Sequence, residues 1–385
     1  MRRRLATLFA AAIAFMPALS QPAAAQIKIG VIVSTTGSAA SLGTPQRNSI
    51  EMLPKSMGSQ GVEYIVLDDG SDSERAVTEA RKLIDESKVD AIIGSSTTAA
   101  SLALVNVASS KNVPMVALGS SAKIVLPMDA QRQWVFKTSQ SDSLMADAIA
   151  LHMFRAGVRT VGFIGFTDAY GEGWLTEAKR ALEAMTIKLV ATERYVRTDP
   201  DVSKQASKLL AAKPDAVLIA GSGVPTAWPQ KALRTLGYAG KYYQTHGAAV
   251  MEFLKVGGPD VEGTILPVGP VLVASQLPDS NPVKVTAEAY VQKYEAAYGS
   301  GSVAAYGAFA YDAATVLNSA IPVALLTAKP GTPEFRTALR GALETVYELA
   351  MSNGVAEMTA KDHNGYDQRA RVMVTIQDGA WKLLP

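Results

Sequence analysis

The sequence predicts an α/β protein built from two doubly wound parallel sheets. Two observations carry this. Short apolar runs alternate with amphipathic stretches of about 10–15 residues, the signature of βαβ units. The alternation then begins afresh after Phe136, so one sheet does not account for it.

The first series opens with 27–33 (IKIGVIV), a strand, and a helix over 45–57. A second strand covers 62–67 (VEYIVL). The helix at 73–87 is read with Ser73 as its cap and Arg75, Glu79 and Lys82 on its outer face. Residues 91–93 form a third strand ending at Gly94. A helix follows at 98–110 and a fourth strand at 114–118 (PMVAL).

The second series has helices at 143–156, 171–185, 203–212 and 226–236. Its strands are 160–164 (TVGFI), 189–195, 216–220 (AVLIA) and 241–244. The rest is less regular. Helices are expected at 282–298, 304–319 and 333–348, with Tyr306, Phe309 and Tyr311 in the core. A hairpin of 372–377 and 380–383 turns on Asp378-Gly379. There is no repeat of 20–50 residues.

Arg2, Arg3 and Arg4 precede an apolar run over about residues 5–19, and Ala23-Ala24-Ala25 gives a small-residue cleavage signal. Residues 1–25 therefore read as a Sec-type signal peptide. No later segment is expected to span a membrane. The chain has no cysteine, which excludes disulfides, thiolate chemistry and a lipid anchor at the cleavage site. The mature chain is read as a free periplasmic monomer. Its formal net charge of +2, without a basic stripe, excludes nucleic acid as a partner. Three histidines, with no H-E-x-x-H, G-x-S-x-G or G-x-G-x-x-G, support neither an enzyme nor a metal or dinucleotide cofactor.

Ligands of open parallel sheets bind outside the carboxyl ends of the strands. Three such loops here are small, hydroxyl-rich and uncharged: 34–43 (with Ser41), 94–101 (with Thr97 and Thr98) and 119–122 (Gly119, Ser120, Ser121). Helix N-termini and hydroxyls together suit a carboxylate. Caps and turns use the same residue types for purely structural reasons. From the second series, Tyr170 offers an apolar wall at a strand-to-helix turn, while Trp174 reads as core.

The ordered set IKIGVIVSTTGSAASLG, DDGSDSERAVTEARKLI, GSSTTAAS, VPMVALGSSA and FTDAYGEGW resembles the leucine/isoleucine/valine-binding proteins of ABC importers, which have the type I periplasmic binding fold. The resemblance spans the mature chain. It implies two discontinuous lobes joined by a hinge of three crossovers near 139–143, 267–270 and 352–359. Lobe I is then 26–140 plus 268–352, and lobe II 141–267 plus 353–385. It further implies a small carboxylate ligand, permease subunits as partners, and hinge closure over the ligand. Thr98, Gly119, Ser120 and Ser121 map to the carboxylate cradle, Tyr170 to the facing aromatic, and Ser222 to another contact.

One departure bears on the ligand. Where amino-acid binders of the family place an acid for the ligand's ammonium, this chain has His246. Asp142, at the first crossover, is the remaining candidate partner for an ammonium. The ligand is therefore read as an aromatic or aliphatic carboxylate, with an amino acid as the alternative. A ligand-sensing receptor component is the second functional reading.

Overall fold

The computed structural model describes residues 26–57 and 60–385. The signal-peptide reading falls outside the described residues.

Two sheets organise the chain. The first has the order β2-β3-β1-β4-β5-β6. Its strands are β1 (Ile27–Val33), β2 (Ser56–Met57), β3 (Gln60–Asp68), β4 (Ala91–Gly94), β5 (Met115–Ala117) and β6 (Val135–Lys137), all parallel except β2. Helices α1 (Ala40–Glu51), α2 (Ser73–Asp85) and α3 (Thr98–Lys111) connect them. β1 is buried almost throughout, as a strand covered on both faces must be.

The second series continues with α4 (Asp142–Arg155), β7 (Thr160–Phe166), α5 (Ala169–Ala184), β8 (Lys188–Tyr195), α6 (Ser203–Ala211), β9 (Ala216–Ala220), α7 (Ala227–Thr235), β10 (Lys241–Gln244), α8 (Met251–Gly257) and β11 (Ile265–Val268). The chain then supplies α9 (Lys284–Tyr298), α10 (Ala305–Leu325) and α11 (Pro333–Leu343), and a two-residue pair β12 (Leu349–Ala350) and β13 (Val355–Ala356). It ends in the hairpin β14 (Val372–Gln377) and β15 (Ala380–Leu383). The second sheet runs β15-β14-β11-β10-β9-β7-β8, with the C-terminal hairpin added antiparallel to β11. This is a two-lobed α/β architecture. The chain passes between the lobes after β6, after β11 and again before β14.

Several local expectations change. The first helix starts at Ala40, not 45, with Pro45 inside its second turn, and 56–57 pair as β2 instead of prolonging it. Asp72, not Ser73, caps α2: its carboxylate accepts from Arg75 N at 2.7 Å. β6 and β11 are short strands that periodicity did not mark. α10 runs on through Pro322 to Leu325, although Pro322 has no N–H to give the carbonyl one turn earlier; the buried face of the helix holds it, with Ala320, Ile321 and Ala324 all in the core. It is also long and apolar enough to cross a membrane by length and composition, contrary to expectation. In the fold it is the central helix of the first lobe, packed between α1 and α11 with most of its residues buried.

Candidate functional site

The C-terminal ends of both sheets face each other, and one small cavity lies between them. It is lined by Leu42, Ser96, Thr97, Thr98, Leu118, Gly119, Ser120, Tyr170, Arg197, Ser222, His246, Tyr306 and Phe309, and its free volume is about 10 Å³, room for about one water, so a larger occupant needs the lobes to part. Seven of the ten residues singled out in the sequence meet here: Thr97, Thr98, Gly119, Ser120, Tyr170, Ser222 and His246.

On the first lobe, α3 begins in the wall. Thr97 caps it, its hydroxyl accepting from Ala100 N at 3.2 Å, so that oxygen already has a partner. Thr98 is buried and its Oγ1 has none; the same holds for Ser120 Oγ, in the loop after β5. Gly119 is needed for close approach. A β-carbon there would fall 3.0 Å from the Thr97 carbonyl and 2.8 Å from Ser101 Oγ, which accepts Gly119 N–H at 3.2 Å.

On the second lobe, Asp168 performs two tasks. Its Oδ1 accepts from Tyr170 N (2.9 Å) and Gly171 N (3.1 Å), capping α5. Its Oδ2 accepts from Arg197 Nη2 at 2.9 Å. Arg197 also donates from Nη1 to Ser222 Oγ at 2.9 Å and lies 4.2 Å above the Phe166 ring. Tyr170 is fixed by its hydroxyl, 2.8 Å from Thr245 Oγ1. From the first lobe, the Tyr306 hydroxyl bonds Ser222 across the cleft.

His246 is buried, its Nδ1 has no partner, and its ring centroid is 5.7 Å from that of Trp174. Burial, helped by the charge on Lys137, pushes its pKa down to about 3, so the imidazole is neutral near pH 7. Trp174 itself is in the core of the second lobe, as the sequence suggested.

Three singled-out residues stand outside this lining. Ser41 faces Gly223, where a β-carbon would be 2.6 Å from Ser41 Oγ. Ser121 caps the short turn after β5, its Oγ accepting from Lys123 N at 3.3 Å. Asp142 accepts from Ala122 N (2.9 Å) and Ser143 N (3.0 Å), and burial raises its pKa. Arg197 is the residue that sequence reading missed; it lies two positions beyond the end of β8, where the strand-end rule applied to the other loops would have found it. It is also the one formally charged side chain in the lining, and no carboxylate shares the wall. Among the described residues no cluster of His, Asp and Glu is arranged to hold a metal ion.

Two α/β lobes meeting over a polar cavity are the architecture of a ligand-binding protein. The chain belongs to the periplasmic binding protein family, whose model matches residues 26–380. It is 26% identical to Leu/Ile/Val-binding protein homolog 3 of Brucella melitensis over 67% of this chain and 70% of that one. An extracellular ligand-binding receptor from Rhodopseudomonas palustris HaA2 is 43% identical, with a TM-score of 0.90 over 94% of this chain and all of that one. A solute-binding protein of an ABC transporter from R. palustris, solved in complex with benzoate, shares the fold at 20% identity (TM-score 0.78, covering 94% of this chain and 96% of that one).

Proposed function

We propose that this chain is the exported substrate-binding protein of an ABC importer of the branched-chain type, and that it captures a small carboxylate lacking an amine. One observation carries the reading: three buried polar atoms without partners, Thr98 Oγ1, Ser120 Oγ and His246 Nδ1, converge with Arg197 on a cavity that has no acid in its wall. A buried polar atom left unpaired costs about 1–3 kcal/mol, so a cavity holding three of them suits an occupant that satisfies them. Hydroxyl donors, the N-terminus of α3 and a guanidinium favour an anion. An ammonium would find no free carboxylate, since Asp168 is engaged by Arg197 and Asp142 by backbone N–H groups. The benzoate-bound neighbour, matched over 94% of this chain and 96% of its own, is consistent with an aromatic acid as occupant.

In this reading the moving bodies are residues 26–140 with 268–352, and 141–267 with 353–385. The open form takes the ligand on one lobe, closure buries it, and the closed pair of lobes is offered to the permease. The family's members are binding proteins, and no catalytic step is assigned. A thermal-shift screen of amino acids against aromatic and aliphatic acids tests the ligand class. Stabilisation by the acids supports it; stabilisation by amino acids alone contradicts it.

A further inference from the structure

Lys137 ends β6, at the point where the chain leaves the first lobe, and its side chain is fully buried. Its ammonium donates to Ser139 O (2.8 Å), Ser141 Oγ (3.1 Å) and Ser120 O (3.3 Å). The third bond matters most. Ser120 carries one of the unpartnered hydroxyls of the cavity, so Lys137 holds from behind the residue whose side chain faces the ligand space. The same place is tied to the last crossover. Ser141 Oγ donates to Asn364 Oδ1 (2.8 Å), and Asn364 Nδ2 donates to the carbonyls of Lys137 (3.0 Å) and Ser139 (3.1 Å).

We propose that Lys137 is a positioning residue for the ligand: it fixes the Ser120 loop through its carbonyl and is the buried positive charge against which a bound carboxylate is taken up. This rests on the carboxylate reading above.

The charged and titratable neighbours are few. Asp142 of α4 and Asp362 of the last crossover favour the ammonium, and Lys137 in turn acts on His246 in the cavity wall. Glu177 of α5 acts on Asp142, and the His363 carbonyl accepts Lys137 N–H at 3.0 Å. Burial outweighs the two carboxylates and brings the lysine down to about 7. His246 and His363 are both held below the ordinary histidine value by burial. Above pH 7 the empty protein therefore loses the ammonium proton. An anion arriving in the cavity favours the charged form and draws that proton back. Capture is then accompanied by proton uptake, and affinity falls as pH rises above about 7.

Calorimetry with benzoate and 4-methylpentanoate, in phosphate and in Tris, measures this on the unaltered protein. Proton uptake is expected at pH 8 and none at pH 6, with affinity falling by up to about tenfold per pH unit between 7 and 9. Lys137→Met is expected to weaken binding at least about tenfold at pH 6.5 and to abolish the uptake; Lys137→Arg, always charged, keeps binding and loses the pH dependence. If the methionine variant does not fold, the proton count on the unaltered protein decides. Binding with no proton uptake and constant affinity from pH 7 to 9 overturns the role of Lys137 and leaves the carboxylate reading standing. No binding of either acid at any pH overturns that reading, and this inference with it.

Discussion

Arg197 donates to Ser222 Oγ at 2.9 Å, joining a residue two positions past β8 to one two positions past β9. Neither is adjacent in sequence, and each reaches the cavity from the carboxyl end of its own strand. With Asp168 holding the other arm of the guanidinium and Tyr306 reaching Ser222 from the first lobe, the four side chains form a polar chain across the cleft. Replacing Arg197 by Met should weaken carboxylate binding by about 1.5–3 kcal/mol, the range for a hydrogen bond to a charged group. Calorimetry checks this, and circular dichroism should show an intact fold, because Asp168 keeps its cap on α5.

Thr98→Ala and Ser120→Ala should each weaken binding by a similar ~1.5–3 kcal/mol. In the empty protein the same changes remove unpartnered buried oxygens, so the melting temperature without ligand should hold or rise. Ser121→Ala should do the reverse. Its hydroxyl is engaged with Lys123 N, so stability falls by about 0.5–2 kcal/mol while affinity changes little. A large loss of affinity in Ser121→Ala alone would move the cradle one residue along the loop.

Gly223 sits at φ +68°, ψ −157°, a conformation open essentially to glycine, and it faces Ser41 and Leu42 of the other lobe. Gly223→Ala adds backbone strain of about 1–3 kcal/mol and pushes a β-carbon into that contact. Lower affinity and a larger radius of gyration with ligand present, by small-angle scattering, are expected. Unchanged values would show that the lobes do not close on this contact.

Asp312 of α10 accepts from Ser352 N, Ser352 Oγ, Asn353 N and Asn353 Nδ2, yet burial raises its pKa to about 6. Its folded value is above the unfolded one, so the native state binds the extra proton. The stability this confers is present below about pH 4 and is lost as pH rises through 6, up to ~3 kcal/mol in all. Asp312→Asn does not titrate. The stability difference between wild type and this variant should therefore shift against wild type from pH 4 to 7, by urea unfolding; a constant difference would contradict it.

Much of the architecture was legible because buried strands such as IKIGVIV and AVLIA are unbroken apolar runs punctuated by helices. β6 and β11 were not, being short and preceded by irregular backbone. α10 was read only as far as Ser319; burial of Ile321 and Ala324 carries it on past Pro322. In the site, Thr98 and Ser120 were legible as hydroxyls after strands. Arg197 stands just past a predicted strand end but was passed over, since YVRTDPD reads as a polar surface turn until the fold sets it over Phe166 and against Asp168. Tyr306 and Phe309 read as core, and they are core, but they also close the cavity from α10.

A matched pair of ligands shows whether the cavity takes an amine-free carboxylate. Calorimetry should compare 4-methylpentanoate with leucine, which differ by the amine. The acid is expected to bind at least about a hundredfold more tightly, since an ammonium buried without a partner costs several kcal/mol. Leucine binding as tightly as the acid, or more tightly, would contradict it.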